Sequence, residues 1–120
     1  MALTMYGIKN CDTVRKARAW LDEHGIDHAF HDYRSQGVDR AALLRWVDEL
    51  GWEALLNRAG TTFRRLPEAE RTGLDRGRAT ALMLAQPSII RRPVLDLGER
   101  RLVGFRPETY AEALAGSGRG

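Results

Sequence analysis

The chain has 120 residues, 43% of them hydrophobic and 29% charged, with a formal net charge of +3. That suffices for one globular domain with a core and is too short for two ordinary ones. It argues against a membrane span, since no apolar run approaches ~20 residues; against a secretory leader, since no basic region precedes an apolar stretch at Met1-Ala2-Leu3-Thr4; and against an internal disulfide, since Cys11 is the only cysteine.

Leu3 to Gly7 reads as a first strand. The turn Ile8-Lys9-Asn10 follows, then Cys11, then a helix from Asp12 to His24 whose apolar positions Val14, Ala17 and Leu21 recur at helical spacing. Gly25 ends it, as glycine does just past a helix. Asp27 to Tyr33 is the second strand. Two strands joined by one helix form a βαβ unit, so they should be parallel. Asp39 caps a helix from Arg40 to Leu50, with Val38 and Leu43 placed as a hydrophobic staple. Leu43, Leu44, Val47 and Leu50 form its apolar stripe, and Gly51 stops it.

Trp52 to Leu56 is a second, short helix, and Asn57 to Thr62 a polar loop. Pro67 to Arg71 is a turn or two of helix, with Pro67 at the first helical position. Asp75 to Gln86 is a longer helix with Ala79, Leu82, Met83 and Gln86 along one face. The period then changes. Val94 to Leu97 and Arg101 to Phe105, separated by Gly98-Glu99, read as an antiparallel hairpin. Pro107 opens a last helix through Leu114, and residues 116–120 form a disordered tail.

The order βαβ, helices, ββα is that of a thioredoxin-like α/β domain with a mixed four-stranded sheet. It occupies residues 1–120, with a helical insertion at about 35–86 between strands two and three. Sheet directions then place the chemistry. Cys11 lies beyond the carboxyl end of strand one. If strand three runs antiparallel to strand one, its start at Arg91-Arg92-Pro93 lies at that edge. So does the end of strand four at Phe105-Arg106-Pro107. Arg92 and Arg106 should converge on the cysteine.

A thiol at a helix N-terminus meets free backbone N–H groups and the positive end of the helix dipole, and both favour the thiolate. Lys9 adds positive charge nearby. Arginine offers a planar fork of donors to carboxylates and oxyanions, so Arg92 and Arg106 read as an anion site. Arg58, in the loop before Gly60, is a further candidate for it. Pro93 is a candidate cis proline. With Val14 at the position of a second cysteine, Cys-x-x-Cys chemistry is impossible, and any disulfide at Cys11 must be resolved from outside. His24, His28 and His31 do not have metal-ligand placement, because an odd separation puts the last two on opposite strand faces. Arginine pairs without interleaved aromatics give no nucleic-acid-reading pattern.

These residues resemble the ArsC (arsenate reductase) family, and within it the Spx/YffB-like branch. The matching stretches are Tyr6-Gly7-Ile8-Lys9-Asn10-Cys11-Asp12-Thr13, Gly60-Thr61-Thr62-Phe63-Arg64, Pro87-Ser88-Ile89-Ile90-Arg91-Arg92-Pro93-Val94 and Val103-Gly104-Phe105-Arg106-Pro107. The resemblance implies a thioredoxin-like fold, Cys11 as nucleophile, Arg92 and Arg106 as two of the three arginines around it, and Pro93 as the cis proline. The third arginine's place is taken by Asn57, with Arg58 next along as its substitute.

The expectation is therefore a cytoplasmic, monomeric oxidoreductase with one catalytic thiol and no bound cofactor or metal. Glutathione or a similar small thiol serves as co-substrate, with glutaredoxin or another protein thiol as a possible partner. The alternatives are an arsenate reductase of the glutathione/glutaredoxin type, and an Spx-like redox-responsive regulator that binds a protein.

Overall fold

The computed structural model describes residues 3–114; the expected tail at 116–120 lies outside them. The chain divides into two compact units, one running to Asp32 and resuming at Arg92, the other Tyr33–Arg91.

The first unit holds the sheet. Strand β1 (Leu3–Gly7), helix α1 (Asp12–Glu23) and strand β2 (His28–Asp32) form the expected βαβ element. Strands β3 (Val94–Asp96) and β4 (Arg101–Val103) and helix α8 (Pro107–Leu114) complete it. The strand order is β2-β1-β3-β4. β1 pairs in parallel with β2 and antiparallel with β3, and β3 pairs antiparallel with β4. This is the mixed sheet of the thioredoxin-like fold.

The reasons are local. β1 alternates, with Leu3, Met5 and Gly7 buried and Thr4 and Tyr6 half-buried, as a strand with one core face requires. Val14, Ala17 and Leu21 are fully buried from α1 and meet Met5, Leu95, Leu102 and Tyr110 in one core. Tyr110 is edge-on to Phe105 (4.8 Å) and Trp20 (5.6 Å), which ties α8 to α1. Helix α1 ends in a Schellman motif. Ile26 N–H bonds the Leu21 carbonyl at 2.9 Å and Gly25 N–H bonds that of Asp22 at 3.1 Å. Gly25 takes the left-handed φ of +66° that this motif needs.

The second unit is helical: α2 (Tyr33–Gln36), α3 (Arg40–Leu50), α4 (Trp52–Leu55), α5 (Thr61–Arg64), α6 (Glu68–Arg71) and α7 (Arg76–Ala85), then a single 3-10 turn at Pro87–Ile89. The Asp39 and Asp75 side chains cap α3 and α7 by accepting from Ala41 N–H and Arg78 N–H. Among the described residues no helix is long and apolar enough to cross a membrane.

Several boundaries differ from the sequence reading. Tyr33 does not extend β2; it is buried and starts α2. Thr61 and Thr62 are not loop but the start of α5, formed because Phe63 must reach the core. Pro67 precedes α6 rather than opening it, with φ −56° and ψ 149°, and its carbonyl accepts from Glu70 and Arg71. Helix α7 buries Ala79, Thr80 and Met83, whereas Leu82 is half-buried and Gln86 is exposed beyond the helix end. Leu56 leaves α4 to form an antiparallel bridge with Ile90. β3 and β4 stop at Asp96 and Val103, earlier than Leu97 and Phe105.

Gly7 lets β1 run directly against the first turn of α1. A Cβ there would lie 2.9 Å from Val14 Cγ2, a short, stiff side chain with no exposure. Gly7→Ala should therefore lower stability by about 1–3 kcal/mol, the usual cost of overpacking. Denaturant unfolding measures this, and an unchanged midpoint would show that the strand–helix approach has slack.

Candidate active site around Cys11

Cys11 is the N-cap residue of α1, with extended backbone (φ −108°, ψ 128°). Its carbonyl accepts the first helical bond, from Arg15 N–H at 2.9 Å. The thiol is partly exposed, so it is both supported and reachable. It forms no side-chain cap bond of standard geometry, yet the N–H groups of Val14 and Thr13 face the sulfur closely enough to favour its charged form. Burial alone would push the Cys11 thiol up. The Val14 amide, a hydrogen bond donated by the Arg92 side chain, the Thr13 amide and the Arg92 charge outweigh it, and the pKa falls below the ordinary thiol value. Asp12 is the next residue in the chain. It is ion-paired with Arg15 one turn on.

Arg92 arrives where the sheet directions require. Tyr6 pairs with Val94, and Val94 with Val103, so the start of β3 and the end of β4 share the edge reached by the end of β1. The Arg92–Pro93 peptide is cis. Pro93 is buried, and its carbonyl accepts from Gly104 N–H at 2.8 Å, locking the two strand ends together.

Arg106 lies two residues beyond Gly104, at the same edge. It is exposed, and its carbonyl starts α8 by accepting from Tyr110 N–H at 3.0 Å. The two arginines are thus not equivalent. Arg92 acts on the sulfur, whereas Arg106 is not among the groups that shift Cys11. Lys9 is exposed in the turn before Cys11.

Asn57 and Arg58 belong to the helical unit. Asn57 N–H bonds the Ile89 carbonyl at 2.8 Å, and its side-chain Oδ1 accepts from Ala59 N–H at 3.2 Å. Its amide shapes a turn. Arg58 is exposed, with its guanidinium carbon 5.3 Å from the centre of the Trp52 ring. In the sequence Trp52 stands only at the start of a short helix. The three histidines have local partners: His24 stacks on Trp20 (3.8 Å), His28 Nδ1 lies 3.2 Å from the Ile26 carbonyl, and His31 packs on Tyr6 (5.0 Å).

The family model for ArsC matches residues 6–113 of this chain. The chain belongs to the ArsC family. Among solved ArsC-like structures, a protein named YFFB is 60% identical over 93% of this chain and 98% of its own, with a TM-score of 0.91. An arsenate reductase (ArsC) related protein from Brucella melitensis is 54% identical, over 93% of each chain, with a TM-score of 0.76. An uncharacterized protein of Haemophilus influenzae is 41% identical over 94% of this chain and 99% of its own. The global transcriptional regulator Spx of Streptococcus mutans is 27% identical over 88% of this chain and 78% of its own. The ArsC membership and the Spx/YffB-like character expected from the motifs are thus both found.

The inequality of the two arginines is measurable. Iodoacetamide alkylation against pH should give Cys11 a midpoint below the free-thiol value of about 8.5. Arg92→Ala should move that midpoint up, because a positive charge that favours the thiolate is lost. Arg106→Ala should leave it in place. Equal behaviour of the two variants would contradict this assignment.

Proposed function

We propose that the protein is a monothiol oxidoreductase in which Cys11 is the nucleophile and glutathione, or a similar small thiol, is the co-substrate. The supporting observation is the lowered pKa of a partly exposed sulfur held between two helix amides and Arg92. A thiolate present near neutral pH attacks fast without losing all its nucleophilicity, the balance such exchange demands.

The reaction runs in two exchanges. Cys11 thiolate attacks the glutathionyl sulfur of a mixed disulfide; a Cys11–glutathione disulfide forms and the substrate leaves as a thiolate. A glutathione thiolate then attacks the glutathione sulfur of that adduct, giving glutathione disulfide and restoring Cys11 thiolate. Each step breaks one S–S bond and makes one. Overall one glutathione is consumed: the glutathionyl group leaves the substrate, which is released as a thiolate, and ends paired with that glutathione in glutathione disulfide. Arg92 supports Cys11 as attacking and as leaving thiolate. Arg106, exposed at the same edge, binds a glutathione carboxylate, and Lys9 adds charge to that rim. The second thiol comes from solution because position 14 is Val14, which is fully buried. Glutaredoxin or another protein thiol can supply it equally well.

Arsenate reduction is the second reading, favoured by the 54% identity to the arsenate reductase related protein. Against it stands Asn57, whose side chain is engaged with the Ala59 amide. A regulator that binds a protein partner, as suggested by the Spx relatives, would act through glutathionylation of Cys11 without turnover.

Turnover of a glutathionylated peptide with glutathione, coupled to reduction of the glutathione disulfide formed, tests the proposal. Wild type should turn over and Cys11→Ser should not. Arg106→Ala should raise KM for the glutathionylated substrate about tenfold or more, the cost of one hydrogen bond to a charged group, with kcat little changed. Activity retained in Cys11→Ser would sink the mechanism. Turnover of arsenate but not of the disulfide would establish the second reading.

A further inference from the structure

Helix α1 carries most of its charges against its own dipole. Acids near a helix N-terminus and bases near its C-terminus are the stabilising order. In α1 the bases Arg15, Lys16 and Arg18 come first, and the acids Asp22 and Glu23 stand in a last turn that holds no base. Asp12, in the first turn, follows the stabilising order and is ion-paired with Arg15. Arg18 lies over the Phe30 ring, 4.5 Å from its centre. Lys16 is exposed, and among the described residues its side chain has no hydrogen bond or ion pair.

The same polarity extends beyond the helix. At the edge holding Cys11, Lys9, Lys16 and Arg106 are exposed. The acids there are Asp32, half-buried at the end of β2, and Glu108, exposed in the first turn of α8 where that helix favours it. At the opposite edge, where β2 begins and β3 turns into β4, Asp22, Glu23, Asp27 and Glu99 are exposed, with Arg100 the exposed base among them. Asp96 and Arg101 pair with each other there at 3.9 Å. A departure from local preference beside a reactive group points to function.

The route to the sulfur says what that polarity acts on. On the monothiol reading a second sulfur must come within bonding distance of Cys11. The polypeptide flanking that sulfur then passes over the exposed side of α1. Val14, Ala17 and Leu21 face the core, which leaves Asp12, Arg15, Lys16 and Ala19 outward. The Lys16 backbone lies about 7 Å along the helix axis from Cys11, and helical side chains lean toward the N-terminus, here toward the cysteine. That is within the Debye length of ~8 Å at physiological salt.

We propose that the exposed face of α1 around Lys16 is a docking surface for acidic polypeptide, selecting protein disulfides or thiols whose cysteine lies in an acidic stretch. The proposal rests on the monothiol reading for the arrival of the second sulfur, and adds the charge of the chain that carries it. Opposite charges speed such encounters, and the gain falls with salt.

The test compares two glutathionylated peptides on the full chain, identical except that glutamates or lysines flank the cysteine. The acidic peptide should have the higher kcat/KM, by about tenfold at low ionic strength. The ratio should approach unity at about 1 M salt, where the Debye length is ~3 Å. Lys16→Glu should lower the low-salt ratio about threefold or more, with turnover of the glutathione–mercaptoethanol disulfide, which has no flanking chain, kept within about twofold. Arg100→Glu makes the same change of net charge at the opposite edge and should leave the ratio in place. Equal kcat/KM for the two peptides, or the same fall in both variants, overturns the proposal. Binding is read separately in the full chain carrying Cys11→Ser, from the Thr13 and Lys16 backbone N–H signals in nuclear magnetic resonance. These should move saturably with the acidic peptide and not with the basic one. An oligonucleotide that moves them equally well overturns the proposal in favour of a general polyanion surface. Acidic-peptide binding without wild-type turnover would remove the monothiol reading alone; turnover of both peptides without charge preference would remove the docking surface alone.

Discussion

The sulfur of Cys11 sits where two opposing effects meet, and the rest of the site depends on which prevails. Packing against the core of the first unit makes a charged sulfur costly. The first turn of α1 and the Arg92 side chain make it favourable, and they win. Helix amides alone leave the thiolate without a counter-charge. An arginine alone, on a mobile side chain, would spend much of its time in water. The combination favours the charged form of the sulfur and leaves it partly exposed.

The fold supplies this combination through register. β1 ends, a short turn follows, and α1 begins with its amides directed at the cysteine. Because β3 returns antiparallel to β1, its first residues come back to the same edge. The Pro93 carbonyl, bonded to Gly104 N–H, joins that start to the end of β4. Gly7 allows the strand to lie close to Val14, whose amide is the largest of the contributions lowering the thiol pKa. The spacing that packs the core therefore also sets the chemistry of the sulfur.

Much of this was legible in the sequence, for identifiable reasons. Strands and long helices were visible because burial imposes periods of two and 3.6 on Leu3, Met5 and Leu95, and on Val14, Ala17 and Leu21. The convergence of Arg92 and Arg106 followed from strand direction alone. What was hidden depends on side-chain reach or on single buried residues. The sequence makes the two arginines look alike, each before a proline, but only Arg92 acts on Cys11. Tyr33 and Phe63 draw short segments into helices that no periodicity announces. Asn57 looked like a gap in an arginine set; its amide is a turn-forming group, and Trp52, six residues before Arg58, offered no pattern by which to link them.

On the proposed reading, native structure, and not mere exposure, makes Cys11 ready for exchange with a small disulfide. Mass spectrometry of the intact protein after brief exposure to glutathione disulfide at neutral pH, folded and unfolded in denaturant, tests this most directly. One glutathionyl group should form on Cys11, faster in the folded protein, and be fully removed by reduced glutathione. A folded protein that stays unmodified while the unfolded chain reacts would contradict it.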